Sequence, residues 1–205
     1  MNDNAKDFIR NVLIGSSASI PYVGGSISYY LDKAAPDFAE SQYNELLSKL
    51  ETEIEKIKEE INPRFVDSPE FVTLCTKAAK KAIFEYHDIK KQAYRNIIIT
   101  AMTEPLDFQM TDFFLRLTDE LTEAQFEVLL CAYYADRNYS KAISISHYIQ
   151  EYNEQAMFIM SITSELSRLR LLTGGITDLG KKYCGFINCP TSLFPIIIKK
   201  YEKHI

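Results

Sequence analysis

The amino-acid sequence predicts a mostly α-helical protein, and three observations carry that prediction. The 205 residues include only seven glycines and seven prolines, too few for the closely set turns of a sandwich or barrel. Apolar residues recur at intervals of three and four along most of the chain, the repeat of a helix that buries one face. An apolar fraction of 46% with 25% charged residues is that of a globular chain, and the length suits one well-packed domain or two small ones.

The first expected element is a short amphipathic helix from Ala5 to Ile14, with Phe8 and Val12 on one side and Arg10 on the other. The character then changes. Asn11 to Leu31 carries no charge, and Gly15 to Ser26 is rich in glycine and serine and interrupted by Pro21. Phe38 to Ile61 reads as one long helix in which Tyr43, Leu47, Leu50, Ile54, Ile57 and Ile61 form a heptad seam. Glu51, Glu53, Glu55, Lys56, Lys58, Glu59 and Glu60 clothe it, and Asn62-Pro63 stops it, because proline disfavours the helical conformation in the residue before it. The seam is the candidate self-association surface. At about three heptads it is equally suited to packing inside one chain.

Ser68-Pro69-Glu70 opens the next helix, with Ser68 as cap and Pro69 where a missing N–H costs nothing. Phe71, Leu74, Cys75, Ala78, Ala82 and Tyr86 mark its inner face. A further helix from Asp88 to Met102 carries Ile89, Ala93, Ile97 and Ala101, and Pro105 ends this block. A helix around Phe113-Phe114-Leu115 closes at Leu121, and Thr122-Glu123-Ala124-Gln125 is a capping box that starts a new unit. The expected organisation is a helical bundle over residues 1–105 and a second module over 106–205.

After Thr122 the order is a helix to Tyr134, a helix holding Ile145, Tyr148, Ile149 and Tyr152, and a helix through Phe158, Ile162, Leu166 and Leu169. Leu171-Leu172-Thr173-Gly174-Gly175-Ile176 is then a minimal hairpin. It is followed by Ile176-Thr177-Asp178-Leu179-Gly180-Lys181-Lys182-Tyr183, in which Thr177 caps, Leu179, Tyr183, Phe186 and Ile187 form a buried stripe, and Gly180 allows close approach to the hairpin. This order resembles the winged-helix superfamily, in which the third helix leads into a β-wing and an apolar-Thr-x-x-Gly-x-x-aromatic segment starts the closing helix. The resemblance covers about the last 84 residues and implies that helix 154–170 holds the position that enters a DNA major groove. Ser164, Arg168 and Arg170 are the candidate nucleic-acid contacts, with Ser161 and Ser167 beside them. Groove readers normally present several Arg, Lys, Asn or Gln residues, and Leu172 to Ile176 leaves no room for an extended basic wing, so the module suits protein contact better.

Charge points the same way. The net charge is −5; residues 1–121 carry 14 Lys and Arg against 20 Asp and Glu, and residues 122–205 carry 9 against 8. A pronounced basic excess, the footprint of phosphate neutralisation, is missing. Lys199, Lys200, Lys203 and His204 read as a solvated helix end.

The uncharged window at 11–31 has the length of a bilayer span, but five serines, three glycines and Pro21 dilute its hydrophobicity. It reads either as a buried helix–loop–helix or as a conditional membrane element centred on Ile20, Val23, Gly24, Gly25 and Ile27. Beside a long charged heptad helix, this organisation is similar to the N-termini of helical cell-death executioner domains in bacterial and fungal immunity. That resemblance implies a sheltered helix released into membrane, and it assigns no residue a role. Gly24-Gly25 lacks the Lys-Ser/Thr of a phosphate-binding loop.

No nucleophile–base pair, metal-ligand spacing or catalytic motif emerges, so no catalytic residue, metal or cofactor is expected. His87 reads as an exposed helix-end residue, His147 as partly buried, and Glu59-Glu60 and Asp119-Glu120 as solvated carboxylates. Cys75, Cys131, Cys184 and Cys189 are far apart and read as reduced and packed. Met1 to Asp7 is polar, without the basic and apolar regions of a signal peptide, which makes the cytoplasm the expected location. In each of the pairs Tyr29-Tyr30 and Tyr133-Tyr134, one ring is expected to pack and the other to lie near the surface.

The sequence therefore predicts a non-enzymatic regulatory or adaptor protein that acts through protein–protein binding, self-association included, and implies no small-molecule substrate. Two alternatives stand beside it. One is a bacterial toxin-like or immune effector whose 11–31 segment inserts into membrane; the other is a weak DNA-binding transcriptional regulator.

Overall fold

The computed structural model describes residues 36–57, 59–61, 66, 68–103, 107–137, 139–140, 142, 156–187 and 193–201. Among them are eight helices: α1 Pro36–Ile57, α2 Pro69–Phe84, α3 Asp88–Thr103, α4 Phe108–Glu120, α5 Glu123–Ala135, α6 Ala156–Arg168, α7 Asp178–Ile187 and α8 Phe194–Tyr201. The described residues form no strand, only one isolated antiparallel bridge between Leu172 and Ile176. The mostly α class read from the sequence holds. The membrane candidates Ile20, Val23, Gly24, Gly25 and Ile27 lie outside the described residues, as do the 5–14 helix, Tyr29-Tyr30, the 145–152 element with His147, Cys189, Lys203 and His204. Among the described residues no helix is long and apolar enough to cross a membrane.

The chain divides into two compact units, one of residues up to Tyr86 with Tyr94–Arg116, the other of His87–Ala93 with Leu117 onward. In the first, α1 packs along α2. Leu46, Leu47, Leu50 and Ile54 of α1 are buried, and so are Phe71, Leu74, Cys75, Ala78, Ala79 and Ala82 of α2. The α2 start is as read: Ser68 Oγ accepts from the Phe71 amide at 3.2 Å, with Pro69 in the first turn. Lys77 on α2 reaches Asp112 on α4 at 2.7 Å.

Two boundaries differ from the sequence reading. α1 stops at Ile57 with a tight turn, Glu60 N–H to Ile57 C=O at 2.8 Å, so Ile61 falls beyond the helix. Continuing it would set Glu59 and Glu60 at the negative end of the helix dipole, which is unfavourable. α2 stops at Phe84, where Glu85 turns extended (φ −76°, ψ 140°). Tyr86 therefore leaves the inner face assigned to it and is 87% exposed.

α3 departs from the amphipathic expectation more completely. Every residue from Ala93 to Met102 is buried, Arg95, Asn96 and Thr100 included, so the whole circumference is covered rather than the one face of Ile89, Ala93, Ile97 and Ala101.

In the second unit α5 is the hub, with α6, α7 and α8 all packed on it. Its capping box is formed as read: Gln125 N–H donates to Thr122 Oγ1 at 3.3 Å and Thr122 N–H to Gln125 Oε1 at 2.8 Å. Because three helices surround α5, Tyr133 and Tyr134 are both buried, which corrects the expectation that one ring lies near the surface. The two rings meet edge to face at 5.3 Å, and Tyr134 stacks on Phe194 of α8 at 4.1 Å. Thr118 and Tyr183 share a buried hydroxyl–hydroxyl hydrogen bond of 2.9 Å.

The connection from α6 to α7 rests on backbone geometry. α6 closes with the Leu171 amide donating to Leu166 C=O at 2.8 Å and the Arg170 amide to Ser167 C=O at 2.9 Å. These are the two bonds of a Schellman motif, with Leu166 and Leu171 as its buried apolar pair. Arg170 holds the left-handed position, φ 59°, that glycine usually takes there. Arg170→Gly is expected to stabilise the chain by about 0.5–1 kcal/mol by relieving that conformation. A urea midpoint unchanged or lowered would show that the arginine side chain offsets the strain.

The chain then makes one rung of hairpin, with Thr177 N–H to Leu171 C=O at 3.1 Å and Thr173 N–H to Gly175 C=O at 2.8 Å. Gly174 turns the tip at φ 70°. Thr177 Oγ1 accepts from the Gly180 amide at 3.0 Å, capping α7, and itself donates to Arg170 C=O at 2.6 Å. Gly180 lies against the hairpin so closely that a Cβ there would sit 2.5 Å from Leu171 O.

Candidate functional site

Three places in the described structure bear on function. The first is the seam. Leu47, Leu50 and Ile54 are fully packed within the chain, while Ile57 and Ile61 are half-buried, and the side chain of Tyr43 is outside the described set. The seam's middle therefore already has an occupant in α2.

The second is the outer face of α6 with the hairpin tip. Ile162 and Leu166 turn inward against α5, which leaves Met160, Ser161, Ser164, Ser167 and Arg168 exposed, with Met160 70% exposed. The three nucleic-acid candidates Ser164, Arg168 and Arg170 are all exposed, but they do not make a basic patch. Arg168 Nε is paired to Glu165 Oε2 at 2.8 Å, one turn back on the same helix. Arg170 sits beyond the helix end, and the tip offers Thr173, Gly174 and Gly175 without a cation. The surface is nearly neutral, small in side-chain volume, and carries one flexible apolar residue.

The third was not legible in the sequence. Glu127 on α5 is 5% exposed, and both its oxygens are engaged by α8: Lys200 Nζ donates to Oε1 and the Tyr201 hydroxyl to Oε2 at 2.9 Å. Lys200 also lies 3.7 Å from Glu123 Oε1, and Glu123 Oε2 lies 3.2 Å from His87 Nδ1. A polar chain thus runs His87–Glu123–Lys200–Glu127–Tyr201 through the second unit. Lys199 and Lys200 are both exposed, as the sequence reading has it, and Lys200 in addition pairs with the Glu127 carboxylate. A buried charge is tolerated only with a partner and hydrogen bonds, and Glu127 has both.

The chemistry of these groups is subdued. Burial, and secondarily the Glu127 carboxylate, push the Tyr201 phenol well above its ordinary range. Burial pushes the Cys75 thiol up to about 12 and the Cys184 thiol higher, with Arg137 acting in the opposite sense on Cys184. Thiols so held are not nucleophiles at neutral pH. Among the described residues no three of His, Cys, Asp and Glu are placed to hold a metal ion.

These acids stay protonated in the folded chain at pH values where they ionise once unfolded. Their stabilising contribution is complete below about pH 8.5, where unfolded thiols begin to titrate, and is lost as pH rises towards the folded values. Urea midpoints are expected to be level from neutrality to that point and to fall above it. Tyr201→Phe should remove the part of the fall that begins near pH 10, the ordinary phenol value. An identical alkaline limb in the variant would mean that Tyr201 is not held as described.

Compared with known proteins, the chain matches no protein-family model, no curated protein and no solved structure.

Proposed function

We propose that this chain is a non-enzymatic regulatory or adaptor protein that works by protein–protein binding, self-association included, with its second unit as a winged-helix-like contact module. The observation that carries this reading is the nearly neutral outer face of α6. In a DNA reader that face supplies cations for phosphate and donors for base edges. Here it presents Met160, Ser161, Ser164 and Ser167, and its arginine is paired to Glu165. A nearly neutral face with an adaptable methionine suits an apolar protein surface. Glu127, the most buried carboxylate among the described residues of the second unit, is occupied on both oxygens by donors of its own chain, which suits a structural anchor and not a general base.

Photo-crosslinking decides the matter. A benzophenone amino acid placed at Met160 should give a defined protein adduct in the cells that make the chain, and none when it is placed at exposed Lys182 on α7. Duplex DNA should not bind at physiological salt. Adducts to nucleic acid at Met160, or salt-steep DNA binding abolished by Arg168→Glu with Arg170→Glu, would replace this reading with that of a DNA regulator.

A further inference from the structure

α8 is eight residues long, well below the length at which an isolated helix is stable in water, so it holds its form through docking. The docking is concentrated on α5. Phe194 stacks on Tyr134 at 4.1 Å and meets Tyr139 edge to face at 5.9 Å. Leu193 and Ile197 are buried, and Lys200 and Tyr201 clasp the two oxygens of Glu127. The match is apolar at one end and charged at the other, which fixes both register and direction. Undocking would expose Leu193, Phe194, Ile197 and Tyr134 and deprive Glu127 of its donors, so an empty groove is short-lived. A ligand that restores every one of these contacts is another α8.

Resting on the reading of the chain as a self-associating binding protein, we infer that the α5 groove around Tyr134 and Glu127 exchanges its own α8 for the α8 of a second copy. The charge complementarity at Glu127 identifies the occupant: a helix with an aromatic residue, an aliphatic residue three positions on, and a Lys-Tyr pair six and seven positions on. Residues 188–192, Pro190 among them, separate α7 from Leu193. Short connections of this kind are where exchange of an identical element between copies arises at low cost. Docking within one chain has the advantage of proximity, equivalent to a concentration on the order of millimolar. Exchange is therefore a high-concentration state, or one reached after α8 is transiently released.

The first test uses the unaltered chain. Equal amounts of nitrogen-14 and nitrogen-15 protein are mixed at high concentration, treated with a zero-length carbodiimide, and analysed for the Glu127–Lys200 amide. Crosslinked pairs of mixed isotope, rising with concentration towards half of the total, are the expected result. Pairs of single isotope only, at every concentration and after a passage through mild urea, would overturn the inference. The second test uses charge exchange. Glu127→Lys and Lys200→Glu each set like charges together within one chain, but in a mixture each groove meets a complementary α8 from the other variant. The mixture should elute at twice the monomer mass and hide from alkylation the thiol of Cys131, a buried α5 residue close enough to Tyr201 of α8 to act on its phenol, while each variant alone exposes it. The double variant should behave as wild type. A mixture of folded variants, with helicity matched by circular dichroism, that stays monomeric with Cys131 exposed would refute exchange. The Met160 crosslinking result stands apart from both tests, so the broader binding reading can survive that failure.

Discussion

Gly180→Ala is expected to lower the stability of the chain by about 2–3 kcal/mol, the cost of forcing atoms into a filled site. The added Cβ would lie 2.5 Å from Leu171 O and 2.8 Å from Ile176 Cγ1. The isoleucine carbon could rotate aside. The carbonyl oxygen cannot, because Leu171 C=O is backbone and already accepts from the Thr177 amide at 3.1 Å. α7 would have to retreat from the hairpin, loosening the Thr177 cap and the burial of Tyr183. For a chain of this size the loss corresponds to a fall in Tm of roughly 5–10 °C. Gly185 on the same helix is the control: a Cβ there meets only the Tyr133 hydroxyl, at 3.6 Å. Gly185→Ala should be neutral or raise stability by about 0.5–1 kcal/mol, the ordinary helical preference for alanine. Equal effects at the two positions, measured by urea denaturation, would show that close approach of helix to hairpin is not what Gly180 provides.

The contrast between these glycines also marks what could be read from sequence. Gly180 was legible because its meaning is local: Thr177 three residues before it, the Gly174-Gly175 tip just upstream, and a helix following. The caps at Ser68 and Thr122 were legible for the same reason, since a side chain bonding an amide three residues on is written in adjacent letters. The exposure of Ser164 and Arg168 followed from the helical period of α6, whereas Arg170 lies beyond its end. What depends on distant partners could not be read this way. Glu127 looks like any helix-surface carboxylate until Lys200 and Tyr201 arrive from 73 and 74 residues away. Tyr133 and Tyr134 can both be buried only because three separate helices converge on α5. α3 offers the strongest case: its sequence gives one apolar face, and only tertiary packing covers Arg95, Asn96 and Thr100 as well. Periodicity reports the face a helix can bury, and says nothing of how many neighbours it will have.

The same limit governs the heptad seam, and Leu50→Ala puts it to experiment. Leu50 has no exposed surface, and its neighbours Leu47 and Ile54 on the seam are buried with it where α1 packs along α2. Truncation to alanine should cost about 3 kcal/mol, within the range for a buried leucine whose surroundings collapse only in part. A seam buried between copies would cost a similar amount, so magnitude alone does not separate the two arrangements. Concentration does. Packing within one chain makes Tm independent of protein concentration in both wild type and Leu50→Ala, whereas packing between copies makes Tm rise with concentration by mass action. The expected outcome is a large loss of stability with the same concentration dependence in wild type and Leu50→Ala over a hundredfold range of dilution. A Tm that climbs with concentration in the wild type and loses that climb in Leu50→Ala would instead assign the seam to self-association. α1 would then be the element to search for an interface, ahead of the groove on α5.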